Sequence, residues 1–94
     1  MTEAPRTAAP RASRLRTYLI THRHEPQDCA IAFAAWRGHD SPLRRETTLS
    51  SCLEGGHSIW WQIEARSEAE ALELLPDWVA ERSEISCVRE IAIP

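Results

Sequence analysis

The chain has 94 residues, of which 43% are hydrophobic, and this size and composition are typical of one small globular domain. Its formal net charge is −3 with no basic stripe, and no apolar run approaches the roughly 20 residues of a transmembrane helix, so we expect neither nucleic-acid nor membrane binding. The three cysteines are odd in number and widely spaced, which favours reduced thiols in the cytoplasm over a disulfide scaffold.

The N-terminal segment 1–15 is predicted to be a disordered tail, because "MTEAPRTAAPRAS" has little apolar surface to bury. It also lacks the apolar core of a secretory signal. The folded domain is therefore expected to cover 16–94. Its first element is "RTYLITHRH" (16–24), whose β-branched and aromatic residues predict a strand.

A first helix is predicted over 26–37. Pro26 suits the first turn of a helix, and Gly38 suits the position just after its end. The spacing i, i+4, i+7 places three side chains on one helix face: Cys29, Phe33 and Trp36. The segment 39–47 contains Pro42 and several charges, which predict a loop.

A hairpin is predicted next, with a weak strand at 47–52, a turn at Gly55-Gly56 and a strong strand at 57–65. With a two-residue turn, Cys52 lies diagonal to His57, and with the four-residue loop 53–56 it lies directly opposite. Both registers place these two side chains on one sheet face, whereas a three-residue loop with a bulge would separate them. The pair is therefore a candidate for sharing a metal or a proton, but Cys52 can equally be a small apolar residue beside a solvent-exposed histidine.

A second helix is predicted over 68–81. Ser67 and Glu70 have the spacing of a capping box at its start. Pro76 falls inside it, so we expect a kink or break near Leu74–Leu75. The last strand is predicted at 84–93.

The element order predicts an α+β fold of ferredoxin-like type, βαββαβ, with a four-stranded antiparallel sheet in the spatial order 4-1-3-2. Right-handed connections place both helices on one sheet face. Along the third strand, Ile59, Trp61 and Ile63 point to one face, while Trp60, Gln62 and Glu64 point to the other. The face without helices therefore carries a large aromatic side chain, and we expect a homodimer or a bound small molecule to cover it.

The run 51–94, with its "GG…W…E" pattern, resembles the second half of small proteins of the dimeric α+β barrel superfamily, and "YLITHRH…FAAWRG" is compatible with the first half. The resemblance covers 16–94 and implies that two ferredoxin-like sheets pack face to face and enclose a pocket. It implies a small cytoplasmic protein that binds a ligand or a transition metal, or a cofactor-free isomerase, cyclase or monooxygenase-like enzyme. No residue set matches an active site of that superfamily, so no catalytic residue is carried over.

The histidines provide the metal-site hypothesis. His22 and His24 share a face of the first strand, and His57 begins the strand that is predicted beside it. The three imidazoles are therefore expected to converge, with Cys52, Cys29 or Glu54 as the fourth ligand. Such a set suits zinc, nickel or copper. The alternative is that histidines at the polar end of a strand are simply exposed.

Two other hypotheses stay open. An enzyme would use a pocket lined by Tyr18, Trp60 and Glu64, with His22 beside them for proton transfer, although the aromatic residues can equally fill the core. "SPLRR" (41–45) offers two arginines that either bind an anion at a pocket mouth or remain solvated. A non-catalytic homodimeric interaction module is the third hypothesis, since ferredoxin-like sheets present flat faces and edges.

Overall fold

Four antiparallel strands form a single sheet in the computed structural model, which describes residues 14–94. In chain order the elements are β1 (Arg16–Arg23), α1 (Cys29–Ala34), β2 (Leu49–Ser50), β3 (Ser58–Ala65), α2 (Glu68–Leu72), α3 (Asp77–Ala80) and β4 (Ser83–Val88). The strands lie in the order β2-β3-β1-β4, which is the predicted order. The α+β class is thus confirmed, and the layout is compatible with a ferredoxin-like fold. The predicted tail, 1–15, falls almost wholly outside the described residues.

One face of the sheet is buried beneath the helices. Antiparallel pairing places Ile20 opposite Trp61 on the central strands β1 and β3, and alternation then brings every second residue to the same face. The buried apolar side chains of this face and its helices are Tyr18, Ile20, Ile59, Trp61, Ile63, Ala65, Ala71, Leu75 and Val79. This core is small, so each large side chain in it carries a sizeable share of the stability.

The opposite face of the sheet is much more open. Gln62 and Glu64 of β3 are exposed there, and Leu19 of β1 retains 37% exposure. Trp60 is half-buried on the same face, and Leu49 pairs with it from β2 with 75% exposure. An apolar patch formed by Leu19, Leu49 and Trp60 therefore lies on the face that the helices leave free.

Pro76 divides the second helical segment, as the sequence predicts. Ser67 Oγ accepts the Glu70 N–H at 3.1 Å, which begins α2. The helix ends at Leu72, and Pro76 is the N-cap of α3. Proline has no N–H to continue the hydrogen-bond ladder, so two short helices replace the continuous 68–81 helix.

Two strands are several residues shorter than predicted, while the other two match the prediction to within one residue. The last strand ends at Val88 rather than at residue 93, because Val88 pairs with Thr17 and β1 begins only one residue earlier, at Arg16. The predicted strand 47–52 is reduced to Leu49–Ser50, since Cys52–Glu54 forms a 3₁₀ turn. In the following loop Gly55 alone has positive φ, at +90°. Gly56 is needed for space instead: a Cβ there would lie 2.7 Å from the Cβ of Ser51.

We predict that Ile20→Ala lowers the free energy of unfolding by about 3 kcal/mol, because a fully buried isoleucine leaves a cavity when truncated. Ile93 is 80% exposed, so Ile93→Ala is the matched control and should leave stability unchanged. Urea denaturation followed by tryptophan fluorescence measures both. Equal destabilisation by the two variants would contradict the assignment of the core.

Candidate metal centre

Two histidines lie opposite each other at the end of the sheet where β1 ends and β3 begins. The last pair of the β1–β3 ladder is Arg23↔Ser58. One step further, the His24 N–H donates to the His57 carbonyl at 3.1 Å, so these residues continue the antiparallel register. Residues directly opposite in such a pair share a face, and the two imidazole centroids lie 5.6 Å apart. The strand pairing therefore sets both rings at one end of the covered face.

The hairpin brings Cys52 to the same place. Ser51 N–H donates to the Ser58 carbonyl at 2.9 Å, which extends the Ser50↔Ile59 pairing by one residue. This register is the four-residue-loop alternative, in which Cys52 follows opposite His57. The chain then turns at Gly55, and the Gly56 N–H closes the loop on the Ser51 carbonyl at 2.8 Å. Cys52 Sγ ends 3.7 Å from His24 Nε2.

Cys29 reaches the cluster through the turn after β1. Pro26 opens a 3₁₀ turn over Pro26–Asp28, which the Asp28 N–H closes by donating to the Glu25 carbonyl at 2.9 Å. The turn reverses the chain, and Cys29 becomes the first residue of α1. Its Sγ lies 3.2 Å from His57 Nδ1.

The four side chains form one compact ligand set. One ligand atom from each of His24, Cys29, Cys52 and His57 lies within 4.8 Å of all the others. In a tetrahedral zinc site, with Zn–S about 2.3 Å and Zn–N about 2.0–2.1 Å, neighbouring nitrogen and sulfur ligands are about 3.6 Å apart. The observed nitrogen–sulfur distances of 3.2 and 3.7 Å bracket that value. These two nitrogen–sulfur separations thus fit a four-coordinate transition metal, and any donor separation near the 4.8 Å limit would have to shorten by about 1 Å around it.

His22 lies behind His24 rather than in the ligand set. Its side chain is fully buried, with Nδ1 at 3.2 Å from the Val79 carbonyl and Nε2 at 2.9 Å from His24 Nδ1. Because a carbonyl only accepts, His22 Nδ1 carries the proton and Nε2 is an acceptor. His24 Nδ1–H then donates to His22, which leaves the lone pair of His24 Nε2 directed toward Cys52. His22 therefore selects the tautomer of His24 that can bind a metal.

Burial favours the neutral form of three titratable groups at this site, His22, His24 and Cys29. Desolvation lowers the pKa of His22, and the Val79 hydrogen bond offsets this only in part. Desolvation, followed by the nearby His57, lowers the pKa of His24. Desolvation also raises the pKa of the Cys29 thiol, and the neighbouring Cys52 adds to the rise. Neutral imidazoles are ready to ligate, whereas a bound cation would have to displace the Cys29 proton.

The predicted site residues divide into three groups. His24, His57 and Cys52 come together, and Cys29 joins them as the fourth ligand in place of the exposed Glu54. The predicted ligand His22 takes the supporting position described above. The predicted pocket-lining residues are separated by the sheet: Tyr18 is buried under the helices, while Trp60 and Glu64 lie on the open face. They line no common pocket within one described subunit, because residues of opposite parity point to opposite faces.

One signal in the sequence predicts that His22 is buried. Tyr18, Ile20 and His22 alternate on one face of β1, so His22 continues an apolar row toward the covered face, and its neighbour His24 lies at the strand end. No pattern in the sequence predicts that both Cys29 and Cys52 join the two histidines. Their convergence depends on the turn after β1 and on the hairpin loop, whose relative positions are set only by the folded sheet.

Comparison of the chain with protein-family models, with curated proteins and with solved structures gives no significant match. The resemblance to the dimeric α+β barrel superfamily therefore stays a prediction. No helix within residues 14–94 is both long enough and apolar enough to cross a membrane.

We predict that His22→Leu weakens metal binding by about tenfold or more, because His24 loses the acceptor that sets its tautomer. His22→Gln supplies a carbonyl oxygen and should recover much of the affinity. Competition of each variant with a chromophoric zinc chelator measures the dissociation constants, and circular dichroism checks the fold. Equal affinity in folded His22→Leu and wild-type protein would exclude the supporting role.

The metal-free protein should lose stability as the pH falls below about 6.5. The pKa values of His22 and His24 are lowered in the folded state, so the unfolded chain takes up protons first and is favoured as the pH falls. We expect a lower urea midpoint at about pH 5.5 than at about pH 7.5 in the presence of EDTA. The His22→Leu variant, which lacks one of the two groups, should lose less. A midpoint that is constant over this range would contradict the burial of these imidazoles.

Proposed function

We propose that this protein is a small metal-binding domain whose His24, Cys29, Cys52 and His57 hold one zinc ion. The proposal is carried by a single observation: four donor atoms from two turns that lie far apart in the chain are within 4.8 Å of one another. Of these donors, His24 is buried and the other three are half-buried. Exposed polar side chains meet by chance more often than half-buried thiols and imidazoles do, because the latter lose hydration when they cluster.

The donor types favour zinc among the transition metals that suit histidine and cysteine. Two thiolates and two imidazoles are a set that zinc binds tetrahedrally. Copper(II) and nickel(II) prefer square-planar or tetragonal arrangements of nitrogen and oxygen ligands. Two half-buried thiolates therefore select for zinc over those two ions. Thiols must be reduced to ligate, and we accordingly place the protein in the cytoplasm.

Four protein ligands correspond to a structural rather than a catalytic metal site, because a catalytic zinc usually keeps one position for water or substrate. The metal would join the turn between β1 and α1 to the hairpin between β2 and β3. Those segments carry little other support: β2 has two residues and α1 has six. A tetrahedral metal at this point would fix both against the end of the sheet.

A cleft beside the two histidines offers a route for the metal. Its volume is about 310 Å³, and its lining includes His24, His57 and the two loop glycines, Gly55 and Gly56. Arg23 and Glu25 also line this cleft, so its lining carries one charge of each sign. A cation can therefore approach the imidazole nitrogens from solvent without passage through the core.

We predict that zinc raises the free energy of unfolding by about 4 kcal/mol when its concentration is roughly a thousandfold above the dissociation constant. Cys52→Ser should abolish this gain, because it removes one of the two thiolates. Cys87 is exposed on β4 and lies outside the cluster, so Cys87→Ser is the matched control and should keep the full gain. Thermal unfolding with and without zinc measures all three proteins.

Cobalt substitution gives a second readout for the same variants. The wild-type and Cys87→Ser proteins should show the thiolate-to-cobalt charge-transfer bands and the visible bands of a tetrahedral site. Cys52→Ser should lose intensity in both. The proposed ligand set would be contradicted if Cys87→Ser lost intensity in these bands as Cys52→Ser is expected to, or if Cys52→Ser kept the wild-type spectrum.

We also propose that two copies associate through the open sheet face, as in the ferredoxin-like dimeric arrangement that the sequence predicts. The supporting observation is the apolar patch of Leu19, Leu49 and Trp60, which no element of the described chain covers. Burial of such a patch against its symmetric copy removes apolar surface from water on both partners.

Light scattering after gel filtration should give twice the 10.7 kDa mass of one chain. Leu49→Glu introduces a charge into the patch and should yield a folded monomer. Leu53→Glu is the control, since Leu53 is 97% exposed and lies in the 3₁₀ turn after β2 rather than on the sheet face. A monomeric wild-type protein would refute the proposed dimer without affecting the metal centre.

A further inference from the structure

A second concave site lies on the covered side of the sheet, away from the metal ligands. It is a groove of about 390 Å³ between α1, the loop that precedes β2, and β3. Its apolar walls include Phe33, Trp36, Leu43, Ile59 and Trp61. The rings of Trp36 and Trp61 lie 5.8 Å apart and are tilted by 48°, so they form two adjoining aromatic surfaces. This volume and lining are typical of sites for small organic molecules.

The groove has an exposed apolar wall that the fold itself does not explain. Phe33 belongs to α1 and lines the groove, yet 56% of its surface remains exposed. Ile59 and Trp61, which are buried, form part of the opposite wall on β3. A ligand between these walls would remove further apolar surface from water, with a gain of about 25 cal/mol per Å².

The rim of the groove carries an excess of positive charge. Arg44 and Arg45 both line it, whereas Glu46 is the one acid among its lining residues. Neither arginine forms an ion pair within the described residues 14–94. Arginine side chains without an acidic partner beside an apolar groove are complementary to a carboxylate, which a guanidinium can bind through two parallel hydrogen bonds.

The loop that presents these arginines is held by its own hydrogen bonds. The Arg44 N–H donates to the Ser41 carbonyl at 3.2 Å, and the Glu46 N–H donates to the Leu43 carbonyl at 3.3 Å. Arg45 adopts φ of +70°, a left-handed conformation that few non-glycine residues adopt. This turn places the two consecutive arginines at the groove. The left-handed backbone at Arg45 is strained, and such strained residues are often found at binding sites.

We propose that this groove binds a small amphipathic carboxylate, with its apolar body against Trp36 and Trp61 and its carboxylate against Arg44 and Arg45. The site goes beyond the metal centre, because it shares no residue with the ligand set. The two sites are nevertheless linked through the hairpin. Ser50 and Ile59 line the groove, and the proposed metal ligands Cys52 and His57 lie two residues after Ser50 and two residues before Ile59.

The test uses nitrogen-labelled protein as purified, titrated separately with octanoate, octanol and octylamine in heteronuclear NMR spectra. Octanoate should shift the indole N–H signals of Trp36 and Trp61. Trp78 stacks under Arg82, 4.0 Å from the guanidinium carbon, and is absent from the groove lining, so its signal is an internal reference. Octanoate should bind more tightly than octanol, and octylamine should bind most weakly, because only the carboxylate complements the rim.

Two variants test whether the arginine charges at the groove contribute to octanoate binding. Arg44→Gln removes one guanidinium, and Arg45→Gly removes the other while suiting the left-handed backbone. Each should weaken octanoate binding by about fivefold and leave octanol binding unchanged. Arg37→Gln removes an exposed arginine that does not line the groove and should retain wild-type affinity.

Three results would overturn the proposal. One is equal affinity for octanoate and octanol in wild-type protein, which would leave the arginines without a role. A second is unchanged octanoate affinity in both folded groove variants. The third is a set of shifts confined to the histidine signals, which would place the carboxylate at the metal centre instead.

Discussion

The antiparallel pairing of β1 with β3 is the constraint on which the site depends. Its register, carried one residue past Arg23↔Ser58, sets His24 opposite His57. The same strand β3 pairs with β2 and so directs the hairpin loop that bears Cys52. A one-residue slip of β3 against either neighbour would move His57 to the opposite face and leave the other donors without it.

Without a metal, the site holds polar groups in an environment that opposes their charge. The imidazoles of His22 and His24 have lowered pKa values, and the Cys29 thiol has a raised one, each chiefly through desolvation. The four ligand side chains contact one another in pairs, Cys52 with His24 and Cys29 with His57. A divalent cation would replace these two weak contacts with coordinate bonds and turn the thiols into thiolates, while the His22–His24 hydrogen bond would remain as support. Because the chain has a small core and short helices, a bound metal would contribute a large part of the stability of this end of the sheet.

The sequence predicts the sheet better than it predicts the site. Alternation of apolar residues identifies β1 and β3, and Pro76 identifies the break between α2 and α3. Ile91 and Ile93 continue the alternation of the last strand, but β1 begins at Arg16, only one residue beyond the Thr17↔Val88 pair, so the residues after 89 have no β1 partner. Local pattern cannot reveal where a neighbouring strand stops.

Local pattern also predicts only part of the metal-ligand set. Histidines at a strand end can be read from the sequence, and their convergence follows from strand order. The choice between Cys29, Cys52 and Glu54 depends on two turns that lie far apart in the chain, and the structure brings both thiols in and leaves Glu54 exposed. The predicted pocket of Tyr18, Trp60 and Glu64 rests on chemical type alone, whereas the alternation along the strands places Tyr18 on the covered face and the other two on the open face.

X-ray absorption spectroscopy at the zinc edge of the reconstituted protein tests the central claim most directly. One bound zinc per chain with two sulfur neighbours at about 2.3 Å and two imidazole nitrogens at about 2.0–2.1 Å is the predicted first coordination shell. A shell made only of oxygen and nitrogen, or a chain that retains no zinc after dialysis, would contradict it.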